Sequence, residues 1–378
     1  MSERLAWPYV FRAWGIIGVY YGHLVGSYWL LGSRAGHTQM KFLATFVVAG
    51  FFMLAGFFYR DRGLSFPGFL ARQWRMRLVP VLFFHVVGFG VAALALLATG
   101  RLNGKTMLAL GKLLLSIVAG WPMLAAVGWF LVCLFMVELF HFLLRKVTLG
   151  TPWLVVSIVA FGLATWALPF EVKAEQQLYH WQSWWLLTPA LAGTVFYQLG
   201  VLARRLDLFA ERSRGVTWVV SLVSLAVLLL IFDRNQGPFP QSRLDMPLLG
   251  LSAFGQLGWF YLTGVVGSVF LFFASRLMPA GRVMRVLGEN SLLLMCLNSY
   301  FLLWIDRPLA AWLYNGLGWQ STLAITLSTA VGTVLSFLIA IPVVLAIRRW
   351  LPWAGGEVRA PRPVPVAAPA AAALPVEG

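Results

Sequence analysis

Two ionisable side chains, Arg12 and His23, interrupt the first apolar stretch of the chain, eleven residues apart. Eleven residues make about three turns of an α-helix, so both side chains lie on one face, about 16 Å apart along the axis. Ionisable groups inside a membrane span usually mark functional sites, and a neutral imidazole suits general-base chemistry near neutral pH. The alternative is that His23 makes an interhelical hydrogen bond and that Arg12 reaches back to the membrane interface.

Three arginines, Arg72, Arg75 and Arg77, stand close together after the second apolar stretch. Guanidinium groups bind phosphates through charge-assisted hydrogen bonds, so this cluster is a candidate for holding a nucleotide-like ligand. The alternative is an ordinary basic loop on the cytoplasmic side of a membrane, and the cluster alone does not decide between the two.

Two further polar residues, Glu138 and Asn298, lie inside predicted helices. Glu138 is a candidate to orient His23 or to pair with Arg12 or another arginine. Asn298 is a candidate hydrogen-bond donor to an oxyanion. No spacing of histidine, cysteine and carboxylate residues predicts a metal site.

The elements that must position these residues are membrane helices. The chain has 378 residues, 60% of them hydrophobic and 11% charged, with a mean hydropathy of +0.80, which excludes an ordinary soluble domain. We predict an all-α polytopic membrane bundle of about ten transmembrane helices. The predicted spans are 10–31, 41–58, 78–99, 128–144, 152–170, 185–203, 216–232, 248–275, 289–305 and 322–347.

The net charge of +16 is distributed so that every second predicted loop is the basic one. By the positive-inside rule this pattern places both termini in the cytoplasm. The excess of positive charge therefore reports membrane orientation, and it does not indicate a nucleic-acid partner.

Several segments depart from the simple pattern of spans. An apolar stretch at 106–127 is interrupted by Lys112, Trp121 and Pro122, which predicts an interfacial or re-entrant helix. Residues 1–353 are predicted to form one transmembrane domain, and the Pro- and Ala-rich residues 354–378 a disordered cytoplasmic tail. Two external loops, 170–184 and 233–247, hold amide and aromatic side chains that suit sugar binding but are also common at membrane interfaces.

The order of several motifs resembles the acyltransferase-3 family of membrane O-acyltransferases. The first three are the Arg12 and His23 pair, "LAGFF" in the second span, and "RQWRMRLVP" opening the third. The later ones are "WFLVCLF", "YQLGVLARR", "VLGENSLLLMCLN" and "RRWLPW", so the resemblance covers nearly the whole chain.

The resemblance implies transfer of an acyl group, usually acetyl from cytoplasmic acetyl-CoA, to a hydroxyl of an extracytoplasmic or lipid-linked carbohydrate. It implies that His23 is the catalytic histidine, that Arg12 is the arginine of the same helix, and that Arg72 and Arg75 are a conserved basic pair, to which Arg77 adds. Many members have a second histidine where this chain has Asn298, a departure that bears on any mechanism requiring two histidines.

The architecture most resembles the members that O-acetylate exopolysaccharide repeat units, such as the xanthan-type enzymes. This implies a multi-pass protein of the bacterial cytoplasmic (inner) membrane. Its partners would be membrane lipid, a lipid-linked or polymeric carbohydrate acceptor and polysaccharide-assembly proteins. The alternatives are a transporter or flippase of a lipid-linked saccharide, with Arg12 and His23 along its pathway, and a non-catalytic assembly protein.

Overall fold

A computed structural model describes residues 6–168, 181–210, 212–239 and 245–356, without the side chains of 181–183. Across these ranges the chain forms fifteen α-helices and no β-strand. In chain order they are α1 (Trp7–Leu30), α2 (Arg34–Ala44), α3 (Val47–Phe57), α4 (Phe66–Gln73), α5 (Val79–Ala98), α6 (Gly104–Leu115), α7 (Trp129–Leu144), α8 (Thr151–Ala167), α9 (Leu187–Arg205), α10 (Arg214–Ile231), α11 (Leu257–Leu277), α12 (Arg282–Glu289), α13 (Ser291–Phe301), α14 (Arg307–Ala311) and α15 (Thr322–Trp350).

Eight helical segments of the described chain are long and apolar enough to cross a membrane, which confirms the predicted class of polytopic membrane bundle. They are Arg34–Phe57, Phe66–Ala98, Gly104–Leu144, Trp184–Arg205, Arg214–Ile231, Leu257–Leu277, Ser291–Gly316 and Thr322–Trp350. Two further helices stand where the sequence predicts spans. Of these, α8 is apolar but has 17 residues, and α1 has 24 residues with a more polar composition. The orientation of the termini stays a prediction.

The polar helix α1 lies in the middle of the bundle, where other helices cover it. It packs against α2, α3 and all of α11 to α15. Its large side chains Phe11, Ile16 and Tyr28 are fully buried. Because neighbouring helices rather than lipid surround α1, its ionisable residues face protein and internal cavities.

The closest helix contact joins α3 and α9 through two glycines. A methyl group at Gly56 would collide with the backbone carbonyl of Tyr197, and one at Gly200 with the backbone of Met53 and Phe57. Small residues let membrane helices approach until their backbones touch. This contact fixes α9 and its Tyr197 beside the end of α3.

Replacing Gly200 with alanine is expected to destabilise the bundle by about 1–3 kcal/mol, the usual cost of overpacking, because the groups it meets are backbone atoms that cannot turn away. The measurement is the melting temperature of the purified protein in detergent. Gly162→Ala on α8 is the matched control, since nothing lies within 4 Å of its added methyl. Equal melting temperatures for the two variants would contradict the close contact.

The segment between α6 and α7 is broken at the predicted place. Two 3-10 turns, Ser116–Ala119 and Met123–Gly128, flank Gly120, whose φ is +82°. His85 of α5 holds the break together, because its Nδ1 accepts from the Leu124 N–H at 3.3 Å while its Nε2 bonds a carbonyl at the end of α6 at 3.0 Å. Irregular backbone at membrane depth needs such partners, and here it lines a cavity.

The C-terminal part of the described chain ends in a short turn, Pro352–Gly355, that packs against α5 and α15. Ala354 is fully buried in this turn. Of the predicted tail at 354–378, Ala354 and Gly355 lie in this turn, and the division of the chain at residue 353 stays a prediction. The remainder of the predicted tail, 357–378, lies outside the described residues.

Candidate active site

His23 is held in place by a hydrogen bond between α1 and α13. Its Nδ1 bonds Oδ1 of Asn298, a residue of α13 that is fully buried. One turn earlier on α1, the Tyr20 hydroxyl donates to the Leu294 carbonyl at 2.9 Å. The two sequence-predicted residues His23 and Asn298 thus meet although they are 275 positions apart in the chain.

The Asn298 contact decides which nitrogen of His23 carries the hydrogen. A carboxamide oxygen only accepts hydrogen bonds, so the Nδ1 of His23 must donate and its Nε2 keeps the free lone pair. An imidazole in this tautomer can take a proton at Nε2 while Nδ1 stays anchored. The Nδ2 of Asn298 is buried and has no partner within the described chain, so a hydrogen-bond donor remains available beside the ring.

A cavity of about 300 Å³ opens at His23, and we call it the histidine cavity. Its walls come from α1, the α2–α3 segment, the broken segment before α7, the turn after Leu248, and Met295 of α13. Apart from His23, Trp121 and Trp129, the lining side chains are aliphatic, methionine, proline or phenylalanine, with three glycines. The chain therefore places its candidate base in apolar surroundings.

A second cavity, of about 370 Å³, lies toward the other end of α1, and we call it the arginine cavity. Five arginines and three carboxylates are among its lining residues: Arg12, Arg60, Arg62, Arg72, Arg77, Asp61, Glu138 and Glu289. Arg12, Arg72 and Arg77 are partly buried within it, whereas Arg60 and Arg62 are exposed at its edge. Such a set of planar donors suits a ligand with several phosphate oxygens.

One of these arginines is already paired. Arg77 makes a two-pronged ion pair with Glu138, at 2.7 Å and 3.2 Å, and both side chains are nearly buried. Of the roles considered for Glu138, the structure shows pairing with an arginine, namely Arg77. Arg12, Arg60, Arg62 and Arg72 make no ion pair within the described residues, so their charges face the cavity.

Arg75, the third member of the predicted cluster, lies elsewhere. Its side chain is exposed and is not part of the arginine cavity, although Arg72 and Arg77 on either side of it are. The sequence-predicted set of three arginines is thus divided by the structure, with one in the cavity without an ion pair, one ion-paired in the cavity and one outside.

Tyr59, Gln73 and Tyr197 are among the residues of the arginine cavity that the sequence analysis did not single out. Burial, with a smaller contribution from Asp61, raises the pKa of Tyr59 to about 12, so its hydroxyl remains a donor at physiological pH. Gln73 is buried and its Oε1 has no partner within the described chain, which leaves an acceptor in a cavity otherwise dominated by donors. The position of Gln73 next to Arg72 was the one sequence feature that could have indicated its place in the cavity.

The two cavities share a wall, and Phe130 of α7 lines both. Its ring packs against Phe51 and Phe52 of α3, with centroid distances of 5.7 Å and 4.9 Å. Arg12 therefore faces the arginine cavity and His23 the histidine cavity, on opposite sides of an aromatic partition. The shared helix face predicted for the two residues does not bring them into one pocket.

The two loops that the sequence predicts to be external are described only in part. In the second loop the Asn235 amide is fully buried and is used by the backbone of Gly237, Phe254 and Gln256. Most of the first loop, and residues 240–244 of the second, lie outside the described residues. No three histidine, cysteine or carboxylate side chains of the described chain come together as a metal site would require.

The fold and the two cavities define a polytopic membrane protein with a basic cavity of about 370 Å³ next to a histidine of the central helix α1. The chain belongs to the acyltransferase-3 family, whose model, described as an acyltransferase domain, matches residues 5–341. The protein is accordingly a membrane acyltransferase by family. No curated protein and no solved structure matches the chain significantly.

Proposed function

We propose that this protein transfers an acyl group from cytoplasmic acyl-CoA to a hydroxyl of a lipid-linked or cell-surface carbohydrate. One observation carries the proposal: the arginine cavity and the histidine cavity meet at Phe130, so the acyl end of a donor held by its phosphates has this one side chain to pass before it reaches His23. Acetyl-CoA is the donor that the family resemblance implies.

The arginine cavity supports CoA as the donor because its free charges match the phosphates of that molecule. Arg60 and Arg62 at the exposed edge, and the partly buried Arg72 and Arg12, have no ion-pair partner in the described chain. Hydrogen bonds to charged groups contribute about 1.5–3 kcal/mol each, so three strong ones together approach the roughly 8 kcal/mol of micromolar binding. The free Oε1 of Gln73 suits an amide N–H or an amine of the same ligand.

On the other side of Phe130, His23 takes the proton of the acceptor hydroxyl at Nε2 while Asn298 holds Nδ1. As the proton leaves, the hydroxyl oxygen forms the new ester bond to the acyl carbon. The carbon–sulfur bond of the thioester breaks, and the CoA sulfur leaves as a thiolate that recovers the proton from His23. The acyl group ends on the acceptor as an ester, and the step needs no oxidant or reductant.

The cellular setting follows from the predicted topology. With both termini in the cytoplasm, the basic loop that carries Arg60 and Arg62 faces the cytoplasm, where CoA thioesters are made. The resemblance to xanthan-type members supports a bacterial inner membrane, a role in exopolysaccharide biosynthesis and polysaccharide-assembly proteins as partners.

The test of donor binding compares two arginines of one segment. Arg72→Gln is expected to weaken CoA binding to the purified protein about 10- to 100-fold, because it removes a charge-assisted contact in the cavity. Arg75→Gln removes the same charge from an exposed position outside the cavity and is expected to change binding less than about twofold. The measurement is isothermal titration calorimetry with CoA in detergent.

Three results would count against this donor site. They are equal losses in the two variants, a larger loss in Arg75→Gln, or no CoA binding to the wild-type protein. A melting temperature raised by a saccharide and unaffected by CoA would instead favour the transporter alternative.

A further inference from the structure

The histidine cavity is too apolar and too large for the small group that the family usually transfers. We propose that it binds the acyl chain of the donor and that this chain is a neutral hydrocarbon chain of about four to eight carbons rather than acetyl. The inference rests on the proposed function, since it takes a CoA thioester held in the arginine cavity as the donor.

The lining of the cavity excludes a sugar ring as its main occupant. Among the residues that line it, none is charged, and only His23, Trp121 and Trp129 have side chains that can form hydrogen bonds. A hexose buried there would leave most of its hydroxyl groups without partners, which is unfavourable. A hydrocarbon chain has no such groups, and Val19, Leu43, Val47 and Met295 offer it an apolar surface.

The volume of the cavity points to a chain of several carbons. Its 300 Å³ compares with about 30 Å³ for one water molecule in the liquid. The single methyl group of an acetyl would fill a small part of this space. Water is a poor filler of the remainder because it needs two to four polar partners, which an apolar lining does not provide.

The position of the cavity identifies the donor as the source of the chain. Phe130 is common to both cavities, so the histidine cavity begins where the thioester end of a CoA molecule would pass the aromatic partition. An acyl chain arriving from that side lies along α1 beside His23. The acceptor then needs to bring only one hydroxyl to the imidazole.

One glycine provides a way to shorten the cavity without disturbing its walls. Of the glycines that line it, a methyl on Gly250 would clash with Trp129 at 2.6 Å, and one on Gly18 would press on Val47 at 3.2 Å. A methyl on Gly22 would instead meet Met40 Sδ at 3.5 Å and Leu43 Cδ1 at 3.6 Å, which are ordinary contacts. Gly22→Ala therefore fills space beside His23 in an otherwise unchanged protein.

The experiment measures the affinity of the full-length protein in detergent for CoA and for acetyl-, butyryl-, hexanoyl-, octanoyl- and succinyl-CoA by calorimetry. We expect affinity to rise about fourfold for each methylene added beyond acetyl until the cavity is full, the fold-change equivalent to about 0.8 kcal/mol per buried CH₂. Succinyl-CoA is expected to bind no better than acetyl-CoA, because its carboxylate would be buried without a partner. In Gly22→Ala the affinity should stop rising at a chain one or two carbons shorter than in the wild type. Its affinity for acetyl-CoA should stay within about twofold of the wild-type value.

Gly162→Ala is the control, since it adds the same methyl group in open space on α8 and should keep the wild-type profile. The inference is overturned if affinity is the same from acetyl- to octanoyl-CoA. It is also overturned if Gly22→Ala and Gly162→Ala give identical profiles, because the rise in affinity with chain length would then come from the detergent and not from the cavity. In both cases CoA binding that still depends on Arg72 leaves the proposed function intact. Absence of all CoA binding would instead refute the proposed function.

Discussion

Replacing His23 with alanine is expected to lower the rate of acyl transfer at least 100-fold, and up to about 10,000-fold, while CoA still binds with wild-type affinity. The range is the usual contribution of a positioned general base. Binding is spared because His23 lines the histidine cavity only, on the far side of Phe130 from the arginines. The measurement in cells is the ester-linked acyl content of the surface polysaccharide, by proton NMR, in a strain that lacks the gene and carries each variant at matched expression.

The control for this variant is a second buried histidine. His141 of α7 packs against Tyr59 and Tyr197, lines neither cavity, and has an Nδ1 without a partner in the described chain. His141→Gln is expected to keep most of the activity at equal membrane abundance. If the strain with His23→Ala restores the acyl content as fully as wild type, His23 is not the base and its bond to Asn298 serves packing alone.

The sequence predicted what depends on local spacing. Helical periodicity placed Arg12 and His23 on one face of one helix, and the run of apolar segments predicted the membrane bundle. The break near Pro122 was also predicted from the sequence, because proline acts through its own backbone geometry.

The division of the arginine cluster shows where local reasoning fails. In a regular α-helix Arg75 would lie about 60° around the axis from Arg72, and Arg77 about 140° away. The chain instead forms one turn of π-helix at Trp74–Leu78, in which backbone hydrogen bonds join residues five positions apart. That geometry brings Arg77 to the side of Arg72 and turns Arg75 outward. This one π-helical turn decides which arginines reach the cavity. No scale of helix propensity predicts where such a turn forms.

Contacts between distant helices account for the rest of what the sequence could not show. Phe130 of α7 separates Arg12 from His23, and Glu138 of the same helix engages Arg77, 61 positions away. The sequence reveals the helical face on which each residue lies. It does not reveal which helix that face meets, because packing in a membrane depends on the fit of all neighbours together.

Asn298 carries the second large expectation, because its side chain is the hydrogen-bond partner of Nδ1 of His23. Asn298→Leu is expected to reduce the maximal rate of acyl transfer about 100-fold or more with an unchanged KM for the CoA donor. The substitution leaves Nδ1 of His23 without its acceptor, so neither the tautomer nor the ring orientation is fixed. Since Asn298 is fully buried and does not line the arginine cavity, donor binding has no reason to change.

A purely structural role for Asn298 is separated from a positioning role by Asn298→Asp. A carboxylate beside the ring accepts from Nδ1 as the amide does, so the orientation and the activity at high pH should be retained. The carboxylate also stabilises the protonated imidazole, and the base must be neutral to act. The acidic limb of the pH–rate profile should therefore move to higher pH, by about one to three units. Two results would contradict the positioning role: a pH–rate profile that keeps its wild-type position, or an equal loss of folded protein in the aspartate and leucine variants. Either would mean that Asn298 holds α13 to α1 without setting the protonation state of His23. If the profile moves, residue 298 sets the charge state of His23 through Nδ1, and Asn298 is a positioning residue for the base.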